Sequence, residues 1–366
     1  MPSSIESSNS VDSPLTHTAS GSASQSSDGP SYDWVDPSVL QIPTKIGIAD
    51  DLDEFFYVNK NFLASECPTE ALAVDVCGVT DRVCHGRENA SHDFFFVYST
   101  FFSHLHITFP FDDFTMRVLQ ILNVAPTQLH PNSWAILQAF RILCQIFGLK
   151  PTPESFLYYY HTHPSTHVGW LSLSSQPENL RFAAFTTSYK NFKEYYFKVF
   201  VEPDGRDLFY NADGTTKFLF HWTEKPTPLD NRFWKSLTPF DKEILLIVNQ
   251  LPCRLPTREL VALYGSFKQW ADLNDIILKM DPSLSKFMKS LKRQADSRKI
   301  STVAGIKSKS PTVVAEEVPT ETVIAAPAVS KKRGRSSKAQ RSKSESTLQQ
   351  HNPHLKLAPH TNTNNA

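Results

Sequence analysis

The chain has 366 residues, 40% of them hydrophobic and including 26 Phe and 6 Trp, but both ends are poor in core material, so one body of roughly 240 residues is expected. Nothing approaches the ~18 uninterrupted apolar residues of a membrane span, and the N-terminus lacks the basic start and apolar stretch of a signal peptide, which predicts an intracellular chain with no membrane partner. The formal net charge of zero hides a split. Residues 286–366 carry sixteen Lys and Arg against five Asp and Glu (net +11), and residues 1–285 carry the remaining twenty-one against thirty-two (net −11), so a polyanion is drawn to the C-terminal part and repelled by the rest.

In chain order, residues 1–41 are rich in Ser, Thr, Gly and Asp; they offer too little apolar surface to offset ordering entropy and are expected to be disordered. A globular body is expected over 42–285. Within it, Asp93 to Tyr98, Phe101-Phe102 and Phe109-Pro110-Phe111 are too aromatic for solvent and should line a core or an interface. Asp112 to Asn123 predicts a helix with Phe114, Met116, Val118, Leu119 and Leu122 on its apolar side. Pro131-Asn132-Ser133 opens a stronger helix, filled by Trp134 to Phe147 and stopped by Gly148 and Pro151. Its polar interior positions, Gln138, Arg141 and Gln145, form one narrow stripe, so this helix should lie at the centre of the fold. A capping side chain followed by proline predicts helix starts at Thr152-Pro153, Thr238-Pro239 and Asp281-Pro282, and a helix-like run begins at Thr257.

Strand material lies between. Val168 to Leu173 reads as one short piece. Tyr195–Val201, Asp207–Tyr210 and Lys217–Trp222, joined by Glu202-Pro203-Asp204-Gly205 and Asn211-Ala212-Asp213-Gly214, read as an antiparallel meander with Gly205 and Gly214 at positive φ. The fold class is therefore α+β: a mainly helical body with a small antiparallel β-meander, flanked by disordered N- and C-terminal tails. Residues 286–299 extend the body as a basic helix, and 300–366 form a disordered basic tail.

The chemistry-bearing constellations are sparse. His161, His163 and His167 lie close together, and alternate positions on an extended segment share a side, but no further metal ligand is evident. Cys77, Cys84 and His85 lack the spacing of a zinc knuckle, and five cysteines at irregular intervals suit free thiols. Phe111-Asp112-Asp113-Phe114 holds paired aspartates of the kind polymerases use for metal, yet it sits at a predicted helix start, where acids complement the helix dipole. Asp213-Gly214-Thr215 has the residue types of an aspartic protease loop in the wrong order. No Gly-rich phosphate loop and no nucleophile elbow occurs, so no catalytic, cofactor or metal site and no small-molecule substrate is identified. A metal-dependent nuclease needs only three convergent acids, which a sequence does not locate. The remaining cluster is basic: Lys331, Lys332, Arg333, Arg335, Lys338, Arg341 and Lys343, in a Ser-rich setting that suits phosphate contacts, nuclear import or a solubilising tail.

Leu119 through Gln128-Leu129-His130-Pro131-Asn132-Ser133-Trp134, running on to Phe140 and Phe147-Gly148-Leu149, resembles the gypsy-type transposon (or transposase) domain of plants. That family places a Gln-Leu-x-Pro-Asn-x-Trp core before a buried helix, a Phe in the next helix (Phe156), and then a Gly-aromatic strand (Gly169-Trp170). Its Lys-x-Trp-Lys-x-x-Phe-Phe pattern reads here as Lys190-Asn191-Phe192-Lys193-Glu194-Tyr195-Tyr196-Phe197, with Phe192 in place of Trp. Pro252 to Arg258 and Tyr264 to Trp270 look like the legume-type subset, so the resemblance spans about 80–275. It implies a retroelement-derived chain and carries over no functional residues, because the family has none with an assigned role. The expectation is a non-enzymatic, Gag-like structural or interaction protein. Its body should self-associate or bind host protein, its tail should contact nucleic acid, and the nucleus is favoured over the cytoplasm. A DNA-processing transposase or nuclease with a cryptic acidic metal site, or a degenerate element fragment without function, is the alternative.

Overall fold

A computed structural model describes residues 31–307, apart from 60–61, 66, 69, 87–92, 163–166, 177–178, 188, 190 and 230–236, and the body it shows begins at Asp33. Its elements in order are α1 (Pro37–Leu40), α2 (Ala49–Val58), β1 (Leu72–Asp75), β2 (Phe94–Tyr98), α3 (Thr100–Ser103), α4 (Asp113–Leu122), α5 (Pro131–Ile146), α6 (Pro153–Leu157), β3 (Tyr160–His161) and β4 (Ser174–Ser175). Then follow β5 (Tyr196–Val201), α7 (Arg206–Phe209), α8 (Pro239–Val248), α9 (Thr257–Val261), α10 (Gln269–Met280) and α11 (Ser285–Lys307). The class is α+β, and none of the described helices is long and apolar enough to cross a membrane.

Local chemistry sets the helix ends. Asp112 caps α4 by accepting from the Thr115 amide at 2.8 Å, and Asn123 closes it in the left-handed region. Thr152 and Thr238 cap α6 and α8, each ahead of a proline in the first turn, as expected. These two caps are joined: the Thr152 hydroxyl donates to Asp241 at 2.6 Å, while Asp241 accepts from the Thr238 amide at 2.7 Å. Asp281-Pro282 opens a single 3-10 turn that leads into α11.

The three-stranded sheet has the order β1-β5-β2, with both outer strands antiparallel to β5. Phe95 and Val97 face one side with Phe197 and Val199; Phe94, Phe96 and Tyr98 face the other with Tyr196 and Phe200. Both sides are covered, and all five residues of β2 are buried. Phe95 lies among the rings of Phe109, Phe111, Phe209, Phe218 and Phe220, at centroid separations of 5.2 to 6.3 Å. Trp134 carries this cluster into the helical layer, with Phe111 at 5.3 Å and Phe101 at 4.6 Å. Along α5, Phe140 then meets Phe114, Phe156 and Phe182, and Phe147 meets Trp270. Trp134, Phe140 and Phe147 are fully buried, which puts α5 at the junction of sheet and helices.

Two strand expectations are corrected. Asp207–Tyr210 is not a strand: it begins as α7, preceded by a 3-10 turn over Pro203–Gly205. Lys217–Trp222 is irregular, and only a single bridge joins Tyr210 to Thr216 across the Gly214 turn. Instead β5 takes its partners from Leu72–Asp75 and Phe94–Tyr98, about a hundred residues earlier. Gly214 does have positive φ, +82°, but Gly205 has φ −94°. Glycine is needed at 205 for another reason: a Cβ there would overlap the Ala71 carbonyl, where the turn presses on the start of β1. Val168 to Leu173 is extended but makes only single parallel bridges, Val168 to Val35 and Leu171 to Leu129. Residues 33–41, grouped by composition with the N-terminal stretch, hold α1: Asp36 caps it ahead of Pro37, and Val35 and Val39 are buried. At the other end Met288, Leu291 and Ala295 dock α11, and Arg298 pairs with Glu243 of α8 at 2.5 Å.

Two stability outcomes follow. Phe140→Ala should cost on the order of 3–5 kcal/mol in denaturant unfolding, since the ring is enclosed by other aromatics. Gly205→Ala should cost clearly more than Gly214→Ala, which faces open space and should lose on the order of 1 kcal/mol for its positive φ.

Candidate functional site

The segment leading into α5 carries several polar side chains committed to backbone elsewhere in the chain. The Gln128 side chain donates to the Thr223 carbonyl at 2.8 Å and accepts from the Thr223 amide at 3.1 Å. Its own carbonyl accepts from the Leu171 amide at 2.7 Å, and the Leu171 carbonyl accepts from the His130 amide at 2.9 Å. The Asn132 side chain makes a matching pair with Thr186, donating at 3.1 Å and accepting at 3.2 Å. The Ser133 hydroxyl accepts from the Leu173 amide at 2.9 Å, and the Trp134 indole donates to the Pro126 carbonyl at 2.9 Å. These residues therefore fasten segments 171–173, 186 and 223 to the start of α5. Phe192, where the resembled pattern has Trp, is buried against Tyr98, His130 and Trp170, and Lys193 lies 3.6 Å from the centre of the Trp170 ring.

His130 caps α5 through Nδ1, which accepts from the Asn132 amide at 3.1 Å, so this nitrogen must be unprotonated. Burial, helped by the nearby Lys193 charge, lowers its pKa to about 4.

The acids singled out from sequence are likewise engaged. Asp112 is the α4 cap and also meets Arg141 at 3.5 Å; Asp113 stands in the first turn of the same helix. Asp213 accepts from the Thr215 amide at 2.9 Å and from its hydroxyl at 2.6 Å, which keeps its carboxyl below the usual range. For Asp241, burial pulls the pKa up, but the hydrogen bonds from Thr152 and Thr238 outweigh it and hold the carboxylate charged. Cys77 and Cys84 are buried, and burial pushes the Cys77 thiol well above its ordinary value. His163 lies outside the described residues, and among those described no three His, Cys, Asp or Glu side chains converge as a metal site. The basic cluster Lys331, Lys332, Arg333, Arg335, Lys338, Arg341 and Lys343 also lies outside the described residues.

Two clefts are of note among the described residues, the first of them on the polar edge of α5. One, of about 340 Å³, lies between Ile107–Thr115 and α5, with Trp134 and Leu137 deep in its lining and Gln138 and Arg141 contributing polar groups. The other, of about 400 Å³, is lined by His104, His106, Phe185, Tyr189 and Arg258 among others. A short polar bridge separates them: Arg141 Nε donates to Gln138 at 2.9 Å, and Gln138 donates to the His106 carbonyl at 3.1 Å. The His106 ring stacks on Tyr264 at 5.9 Å and 7°, with the Arg141 guanidinium 5.8 Å from the same ring. In the sequence, the trace of the first cleft is the α5 polar stripe; Gln138 and Arg141 border it, while Gln145 is exposed.

An α+β body organised around the entry to a buried helix is thus the setting for the comparison with known proteins. Residues 96–164, from within β2 to just past β3, match the model of the family described as "Putative gypsy type transposon". The search of curated proteins and the search of solved structures each give no match to the chain. The matched interval contains Gln128 to Trp134 and α4 to α6, and it excludes Gly169-Trp170, Lys190–Phe197 and the later segments of the sequence-level resemblance.

The His130 cap gives a pH-dependent outcome. Its folded pKa lies below the ordinary 6.5, so the unfolded chain binds this proton more readily. The stability it confers is complete above pH 6.5 and is lost as pH falls toward about 4. The melting temperature should drop across that window, and His130→Asn, which keeps a capping acceptor, should show a smaller drop than the parent.

Proposed function

We propose that this transposon-derived chain is a non-enzymatic, Gag-like component: a folded body that associates with protein, including copies of itself, and a basic tail that contacts nucleic acid. The observation that carries the reading is the separation of charge, +11 over residues 286–366 against −11 over the rest. Such a chain offers phosphates one attractive region, and clustered Lys and Arg bind them without reading sequence. The body supports the same reading, because the acids its motifs suggested for chemistry, Asp112, Asp113 and Asp213, serve helix starts and a turn.

The test is fluorescence anisotropy of the full chain with duplex DNA over a range of salt. Binding should ignore sequence, and its logarithm should fall with the logarithm of salt by about 0.9 for each phosphate engaged. Replacing Lys331, Lys332, Arg333, Arg335, Lys338, Arg341 and Lys343 by Ala should remove most of that binding. Salt-insensitive binding, or an alanine variant that binds as the parent does, contradicts the proposal. A fluorescent fusion adds a cellular readout: Lys331→Ala, Lys332→Ala and Arg333→Ala together should shift it out of the nucleus.

A further inference from the structure

We propose that the cleft bounded by His104, Phe185, Tyr189 and Arg258 holds one unpaired nucleotide of a single-stranded nucleic acid. Its base would lie in the aromatic cleft and its phosphate against Arg258. This rests on the reading above that nucleic acid is the partner, and it adds a second contact, on the body.

The chemistry of the cleft selects the ligand. Its volume, about 400 Å³, suits a small planar group. One wall is flat and aromatic: Phe185 and Tyr189 stack at 5.8 Å and 8°, and His104 stacks on Tyr189 at 6.2 Å and 28°. Such faces accept any base, because every base has a π-face. Arg258 is exposed, sits 4.6 Å from the Phe185 ring and donates to the Phe185 carbonyl at 3.3 Å. A guanidinium has five N–H donors, so this bond leaves capacity for a phosphate.

Two further groups suit a base edge better than a bare anion. The Tyr189 hydroxyl is buried and has no hydrogen-bond partner among the described residues, a state that costs free energy until an acceptor arrives. Burial, with Arg258 and His106 adding to it, lowers the His104 pKa, so its neutral ring presents one donor and one acceptor. An inorganic polyanion would gain little from a neutral imidazole and an apolar wall. From the rim of the cleft, where His106 lies, the stacked His106–Tyr264 pair and Arg141 repeat the pairing of ring and cation, a second step for a strand that continues past the first nucleotide.

The test removes the tail's contribution first. The full chain with the seven tail residues changed to Ala is titrated against fluorescein-labelled oligo(dT) and oligo(U) of about 12 nucleotides, within the site sizes of such surfaces, and against a duplex of the same length. Single strands should still bind, better than the duplex, and the stronger of the two oligomers identifies DNA or RNA as the source. In that background Arg258→Ala and His104→Ala, both at exposed positions, should each weaken single-strand binding about tenfold, the effect of losing one base or phosphate contact. Tyr189→Phe, which keeps the ring, should weaken it by a smaller factor, about threefold. The proposal is overturned if the tail-neutralised chain no longer binds single strands, or if Arg258→Ala and His104→Ala bind as their parent does while melting at its temperature. The tail reading fails by a different result, equal duplex binding with and without the seven substitutions.

Discussion

A loop-rich half of this protein has to satisfy its backbone without much sheet, and the side chains from Gln128 to Trp134 are what allow it to. Buried amide and carbonyl groups left unpaired cost on the order of 1–3 kcal/mol each. Segments 168–173, 182–186 and 210–223 run beside the core with only single bridges to neighbouring chain. Gln128 and Asn132 answer with primary amides, which donate and accept at once and so pair both the N–H and the C=O of a single residue, Thr223 or Thr186. Ser133 adds a third anchor, while Trp134 buries its ring between Phe101 and Phe111 and spends its indole donor locally on Pro126. The start of α5 is thus fixed both by packing beneath it and by strands of loop laid over it.

This explains why a family match centred on these residues speaks to architecture more than to activity. Gln, Asn, Ser and Trp close together in a sequence look chemically rich, yet here each is occupied by main chain. The same accounting covers the acids Asp112, Asp213 and Asp241, whose carboxylates are held by helix caps and a turn. The two nucleic-acid contacts proposed above differ in their physics: one through the many charges of the tail would weaken with salt, while one in the cleft would rest on stacking and a single guanidinium.

Legibility in the sequence followed the range of the interactions. Helices α4 and α5 could be read because periodicity, caps and stop residues all lie within their own spans, as with Asp112, Pro131 and Gly148. The sheet could not: β5 pairs with Leu72–Asp75 and Phe94–Tyr98, and nothing in the local sequence of Tyr196–Val201 names partners so far away. The Asp-Gly at 204–205 signalled a hairpin, but Pro203 started a 3-10 turn and the closeness of Ala71 set the need for glycine. Helix α10 was missed because Gln269 to Met280 has a mixed face, with only Leu273 and Ile277 buried. The aromatic cleft was invisible as a site, since Ser103 to His106, Phe185 to Tyr189 and Arg258 to Ala262 are remote in sequence and meet only through the fold.

Native-state hydrogen exchange tests the organising role of this segment most directly. The amides of Leu171, Leu173, Thr186 and Thr223 donate to Gln128, Ser133, Asn132 and Gln128 again, and none of the four lies in a described helix or strand. They should exchange as slowly as amides inside α5, and Gln128→Ala should release Thr223 selectively while α5 stays protected. Exchange of these four amides at the rates of open loop, with α5 protected around them, would show that the fold is held together without them.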